Sequence, residues 1–258
     1  MTLAGRGAVV TGGGQGIGRA AARALAAAGA AVVVAARTRD RIEAVATELR
    51  TAGLRASAVP CDVTDPTSVR ALAREAEGRL EHVDILVNNA GVGHSAPLDK
   101  LTLEEWNRVL AVNATGTFLC TQAFLAGMLE RRWGRVVNIA SVAGLHGGKY
   151  ITAYSASKHA VVGFTRSVAS EVAGSGVTVN AVCPGFVDTE MTRESVARIT
   201  AKTGLASSDA LRAALATTGQ RDLLPPEEVA RVVVTLCDDA ARDRNGEAVV
   251  LTGEGAGR

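Results

Sequence analysis

The chain has 258 residues, 47% hydrophobic and 21% charged, a balance that suits one globular domain and excludes an intrinsically disordered chain. Its 28 Lys and Arg against 26 Asp and Glu leave a net charge of +2 without a long block of either sign, so no nucleic-acid partner is expected. The N-terminus lacks a basic segment followed by an apolar core, no apolar run reaches the roughly 20 residues of a bilayer span, and Cys61, Cys120, Cys183 and Cys237 stand far apart. A cytoplasmic protein with reduced, buried thiols, no membrane contact and no metal is the expectation.

Short apolar runs alternate with longer helix-like segments. The predicted strands are 7–11 (GAVVT), 31–36 (AVVVAA), 56–62 (ASAVPCD), 83–90 (VDILVNNA), 134–140 (GRVVNIA), 176–182 (GVTVNAV) and 246–252 (GEAVVLT). Several are near-continuous in Val, Ile and Ala, as in strands covered on both faces by helices. Segments 18–28, 39–52, 66–79 and 226–237 have the length and apolar period of crossover helices. The pattern predicts one α/β domain over 1–258 with a mainly parallel, seven-stranded sheet between two helical layers. Residues 189–226 break the rhythm and read as one or two short helices on an excursion from the strand carboxyl ends, where a substrate lid belongs.

The first strand runs into TGGGQGIG, residues 11–18. Gly12, Gly16 and Gly18 permit a tight turn, close backbone approach to a pyrophosphate and close helix packing, while the helix N-terminus offers N–H groups to phosphate. Structural turns use glycine for the same reasons, so the strand before and the helix after carry the nucleotide reading. At the end of the second strand an acid would read a free ribose 2′-hydroxyl, but the residues are Ala36 and Arg37. An arginine there can pair with a 2′-phosphate, which favours NADP(H) over NAD(H); the alternative is an ordinary solvated arginine. Arg39 can assist, whereas Gln15 adds no positive charge.

After the third strand, Asp62 and Val63 follow Cys61. Asp62 can accept from an adenine amino group or close a turn. In NNAG, residues 88–91, the two amides can tie neighbouring loops together, and Ala90 and Gly91 let a cofactor come close. Asn113 lies in a predicted long helix, where asparagine is mildly unfavourable and loosens the backbone.

Tyr154 and Lys158, in YSASK, are four residues apart and share one face of a helix starting near Thr152. An ammonium beside a phenol is expected to favour phenolate and ease proton exchange with a substrate oxygen. Lys158 can also donate to cofactor ribose hydroxyls, and Ser141, at the end of the fifth strand, can orient a carbonyl facing the phenol. Each residue alone has a packing or capping explanation; together at the ends of parallel strands they point to a site.

Through TGGGQGIG, NNAG, NIAS, YSASK and NAVCPGFVDTEM the chain resembles the short-chain dehydrogenase/reductase family along nearly its whole length. The resemblance implies a Rossmann-like three-layer fold, a cofactor turn at Gly12, Gly16, Ile17 and Gly18, and a catalytic Ser141, Tyr154 and Lys158. It adds Asn113 as the group that holds the lysine through a water, Asp62 and Asn89 as cofactor contacts, and PGFVDT as the nicotinamide wall, with Pro184, Gly185, Val187 and Thr189. It also implies a homotetramer first and a homodimer next. Within the family, MLERRWGRVVNIAS and YSASKHAVVGFTR look like aromatic polyketide ketoreductases and 3-oxoacyl-thioester reductases. Arg131 and Arg132 could attract an acyl carrier protein or simply solvate a helix end. The excursion segment 203–219 and the terminal LTGEGAGR, which lacks the family's double glycine, depart from the pattern.

The expected activity is NADP(H)-dependent hydride transfer to a ketone of polyketide or 3-oxoacyl type, free or linked to a carrier protein or CoA, with Tyr154 as proton donor. The competing readings are an oxidative NAD(H)-dependent alcohol or 3-hydroxyacyl-thioester dehydrogenase, and a non-catalytic nucleotide-binding scaffold or sensor. His82, His94, His146 and His159 are too scattered for a metal set, though His94, His146 and Lys149 fall in stretches expected to border the pocket.

Overall fold

The computed structural model describes residues 2–253; Met1 and residues 254–258, which end the LTGEGAGR segment, lie outside it. Seven strands, β1 (Gly7–Thr11), β2 (Ala31–Ala36), β3 (Ala56–Pro60), β4 (Ile85–Asn88), β5 (Gly134–Ile139), β6 (Val177–Pro184) and β7 (Ala248–Leu251), form one sheet in the order β3-β2-β1-β4-β5-β6-β7. Every pairing is parallel. The order reverses between β1 and β4, and such a reversal opens a crevice at the strand carboxyl ends.

The helices are α1 (Gly16–Ala27), α2 (Arg39–Thr51), α3 (Pro66–Leu80), α4 (Leu103–Leu110), α5 (Gly116–Glu130), α6 (Thr152–Glu171), α7 (Glu190–Thr203), α8 (Ser207–Ala216) and α9 (Pro226–Cys237). Pleating sends alternate strand residues to opposite faces. Val10, Val32, Val34, Ile85 and Val87 meet α1, α2 and α9 on one side. Val9, Val33, Leu86, Val136 and Val179 meet α3, α5 and α6 on the other. This two-sided burial is why the strands read as unbroken apolar runs.

Four strands, β3, β4, β5 and β7, are shorter than expected. β4 stops at Asn88, where the Asn89 side chain turns back to β1 instead of extending the ladder, and β3 stops at Pro60, after which Cys61 N–H makes one last bond to the Ala36 carbonyl at 3.0 Å. The excursion contains two helices, α7 and α8, within the expected range. Its ends are sewn together where Leu224 N–H donates to Phe186 C=O at 3.0 Å and Asp188 N–H to Leu224 C=O at 2.8 Å.

Between α4 and α5 the helix widens into one π turn, Ala111–Thr115, so the helical run is continuous from Leu103 to Glu130. By length and composition that run could cross a bilayer, which inspection of apolar runs alone did not anticipate. It packs here as a core helix, with Val109, Asn113, Thr117, Cys120, Phe124 and Met128 buried along one side.

Arg131 and Arg132 lie before β5, a full strand from Ser141, which lies after it. Arg131 donates to the Val83 carbonyl at 2.8 Å and approaches Asp84 at 3.6 Å. These cations therefore flank the amino ends of the strands, opposite the crevice.

A buried amide chain joins the layers below the site. Asn88 Nδ2 donates to Thr121 Oγ1 at 2.9 Å and to Asn138 Oδ1 at 2.8 Å, and Asn138 Nδ2 donates to Thr165 Oγ1 at 2.9 Å. Asn138 is fully buried, so its removal strands polar partners that water cannot reach. Asn138→Ala is expected to cost about 2 kcal/mol, read as a lower urea midpoint; an unchanged midpoint would show that the chain contributes nothing net.

Candidate active site

The site is assembled from loops that leave the carboxyl ends of β1, β4, β5 and β6. In the glycine-rich turn, Gly12 and Gly16 have φ of +63° and +50°, values that side chains resist. A Cβ on Gly12 would lie 2.8 Å from the Ala90 Cα, and one on Gly18 would collide with the Gly12 carbonyl and the Asn89 amide. Thr11 and Asn89 lock this approach. Thr11 Oγ1 accepts from the N–H groups of Asn89 and Ala90 at 3.1 and 3.2 Å, and Asn89 Nδ2 donates to the Thr11 and Gly12 carbonyls, each at 3.0 Å.

Gln15 precedes α1 without capping it by side chain, so no side chain there competes for the first-turn N–H groups. The shallow glycine floor and this uncapped helix end fit a dinucleotide diphosphate.

Arg37 is exposed just beyond β2. Asp62, across from it, closes a turn: its Oδ1 accepts from Thr64 N–H at 2.9 Å and from Thr64 Oγ1 at 2.7 Å. Burial works to raise the Asp62 carboxyl, but the two Thr64 hydrogen bonds and the Arg37 charge outweigh it and hold the group below its ordinary value. Val63 is buried against Gly116, so its main chain is what it offers a ligand.

Ser141, Tyr154 and Lys158 come together between β5 and α6. Ser141 is buried; its Oγ accepts from Ala143 N–H at 3.1 Å and donates to the Pro184 carbonyl at 3.4 Å. Its hydroxyl lies close enough to the Tyr154 phenol to act against the effect of burial on that group. Lys158 is buried, donates to the Ile139 carbonyl at 2.7 Å, and holds its Nζ 5.8 Å from the Tyr154 ring centroid.

This geometry corrects the expectation that the ammonium favours phenolate. Burial raises the Tyr154 pKa above its ordinary value, with the nearby Ser141 hydroxyl opposing that effect. Burial also lowers Lys158 to about 8. Desolvation favours the neutral form of both groups, so the phenol keeps its proton at neutral pH. Cys183, behind the pair, is pushed by burial up to about 11 and stays a thiol.

Asn113 sits in the π turn. Its side chain pairs with the Val92 main chain in both directions, accepting at 2.8 Å and donating at 3.0 Å, and donates to Ser157 Oγ at 2.9 Å. A Cβ on Gly91 would lie 3.3 Å from Asn113 Oδ1 and 3.7 Å from Lys158 Nζ, so only a glycine-sized gap separates the loop from both groups. The side-chain amide ties the loop after β4 to Ser157 of α6.

The β6 exit forms the remaining wall. Gly185 N–H donates to Leu251 C=O at 2.8 Å, and Thr189 caps α7 through Thr192 N–H. Thr189 Cγ2 would be 3.1 Å from a Cβ on Gly16, and Met191 Sδ 3.6 Å from one on Gly93. The excursion thus begins in contact with both the glycine-rich turn and the loop after β4. Val187 is buried and bridges to Leu224.

Sequence reasoning missed Gln220. It is buried; its Oε1 accepts from Phe186 N–H and Thr218 Oγ1, each at 2.7 Å, and its Nε2 donates to the Phe186 carbonyl at 3.0 Å. Its one signal was Gly185, where a Cβ would strike that amide. Of the expected pocket-rim residues, His94 Nδ1 is 3.2 Å from Glu105 Oε2, which also takes Arg108 at 2.8 Å. His94 is already occupied on that side.

A family model for short chain dehydrogenase matches residues 6–200. The 3-oxoacyl-(acyl-carrier-protein) reductase FabG of Aquifex aeolicus (strain VF5) is 39% identical over 260 residues, with 98% of each chain covered. The protein of the same name in Escherichia coli (strain K12) is 36% identical over 254 residues, again with 98% of each covered. Among solved structures, a variant of actinorhodin polyketide ketoreductase crystallised with NADPH matches with a TM-score of 0.92 at 37% identity, over 97% of each chain. With the family model spanning most of the chain and the Ser141, Tyr154 and Lys158 cluster at the sheet's crevice, this protein is an oxidoreductase that belongs to the short-chain dehydrogenase family.

Proposed function

We propose that the protein is an NADP(H)-dependent reductase of ketones of 3-oxoacyl or polyketide type. The observation that carries the reading is the convergence of Ser141, Tyr154 and Lys158 in the crevice beside the glycine-rich turn, where burial raises the pKa of the phenol. Similarity to carrier-protein reductases and to a ketoreductase crystallised with NADPH supports the substrate class and the cofactor.

A bound nicotinamide supplies hydride to the carbonyl carbon. Tyr154 gives its proton to the oxygen as negative charge develops there, and Ser141 donates a hydrogen bond to the same oxygen. Lys158, while charged, stabilises the phenolate left behind and can donate to cofactor hydroxyls. Asn113 acts as a positioning residue, holding the Val92 loop against α6. Gly12, Gly16, Ile17, Gly18 and Gln15 form the diphosphate turn, and Asn89, Ala90 and Gly91 line it. Arg37 reads the 2′-phosphate, Asp62 and Val63 border the adenine, and Pro184, Gly185, Val187 and Thr189 border the nicotinamide. Residues 189–226 act as the lid of one domain.

The substrate is bound to a carrier protein or to CoA, in the cytoplasm, by a homotetramer or homodimer. An exposed Phe118 on α5, set edge-on to Phe164 of α6, with exposed Leu129 further along α5, supports self-association.

Tyr154→Phe is expected to lower NADPH oxidation with an acetoacetyl thioester or a bicyclic ketone by roughly a thousandfold while NADPH still binds. Equal rates for the two proteins would remove the proposed proton donor. The second expectation concerns pH: Lys158, lowered to about 8, is an ammonium below that value and neutral above it, so kcat/KM should fall as pH rises through about 8. A profile flat through that range would mean that the lysine charge is not used. For cofactor choice, Arg37→Ala should weaken NADPH by roughly tenfold and leave NADH nearly unchanged in fluorescence titrations; equal losses would assign Arg37 a structural role.

A further inference from the structure

The glycine-rich turn carries no cation of its own, yet one is delivered to it from another element. Arg41 lies in the first turn of α2, and its Cβ would be 3.1 Å from a Cβ on Gly14. Its Nη1 donates to Gln15 Oε1, at the tip of the turn, and to Glu190 Oε2 at 3.0 Å. Glu190 is the first residue of α7, the start of the excursion. One guanidinium therefore bridges three segments: α2, the glycine-rich turn and the root of α7.

Gly13 N–H donates to the Ala35 carbonyl at 3.2 Å, which seats this turn on the carboxyl end of β2, two residues before Arg37. Arg37 and Arg41 thus flank the same rim from β2 and from α2. The Arg41–Glu190 pair is about half exposed on both sides, so it is a weak, exchangeable contact and not a buried strut. A dianionic phosphate offers a guanidinium more charge and more acceptor oxygens than one carboxylate does.

We propose that Arg41 is a second specificity-determining residue for the cofactor 2′-phosphate, placed by Gln15 and held in reserve by Glu190. Phosphate at this rim competes with Glu190 for Arg41, so engaging NADP(H) loosens the root of the excursion, whereas NAD(H), with a free 2′-hydroxyl, leaves the pair intact. Gln15, which brings no charge, acts as the acceptor that aims a borrowed one.

The inference rests on the proposed NADP(H) site, and the test separates the two. NADPH, NADH and 2′-AMP are titrated by fluorescence and calorimetry against wild type, Arg41→Ala, Glu190→Gln and the double variant, with thermal melts as a check on folding. Arg41→Ala should weaken NADPH and 2′-AMP by roughly tenfold with NADH little changed. Glu190→Gln should tighten NADPH by about threefold, and that gain should vanish in the Arg41→Ala background. Equal weakening of NADPH and NADH by Arg41→Ala, or a Glu190→Gln effect that persists without Arg41, overturns the role of Arg41 and leaves the NADP(H) site standing. A folded wild type that binds neither nucleotide overturns both.

Discussion

The contact between the turn after β1 and the loop after β4 is the constraint on which the crevice depends. Thr11 and Asn89 form it with four hydrogen bonds that cross between the two segments. Because β1 and β4 are adjacent yet their connections leave in opposite directions, nothing else in the sheet forces those loops to converge. The lock does so by spending side-chain amide and hydroxyl groups on main-chain atoms, and glycine at 12 and 18 is what makes the approach sterically possible. Each glycine here is required by a neighbour, and Asn89 is that neighbour in both cases.

A second constraint is the cost of burying Lys158. An ammonium out of water needs partners, and the described hydrogen bond is a single one to Ile139. The result is a lysine that loses its charge as pH rises through about 8 and a tyrosine that stays protonated. Opposite electrostatic demands are met by one apolar environment: the same desolvation that preserves the acid makes the lysine's charge conditional. Both shifts therefore have a common origin in how α6 packs on β5 and β6.

The fold was legible because both faces of every central strand are covered, which leaves an unmistakable apolar run, and because the helix spacing of Tyr154 and Lys158 needs no tertiary knowledge. Asn113 was legible as an anomaly in a helix, but not as a π turn, since nothing in AVNAT announces an extra residue per turn. The sign of the phenol's shift was not legible either. It depends on how much water reaches Tyr154, and burial depends on every element around it. Gln220 and Arg41 escaped for another reason: both work on segments far away in the chain, Gln220 on Phe186 and Arg41 on Glu190, and a long-range pair between common polar residues leaves no local pattern.

These long-range pairs share a logic. Among the contacts at the root of the excursion from β6 are the buried amide of Gln220 inside the loop, the Thr189 methyl against Gly16, and the half-exposed ion pair with Arg41. They differ in how easily water replaces them. The buried amide is costly to break and holds the loop's shape, the methyl contact is indifferent to charge, and the half-exposed ion pair is the most exchangeable of the three. The attachment is thus graded, strong where the chain folds back on itself and weak where Glu190 meets Arg41. The arrangement of Gln220, Thr189 and Glu190 supplies this gradation within one short stretch of loop and its return.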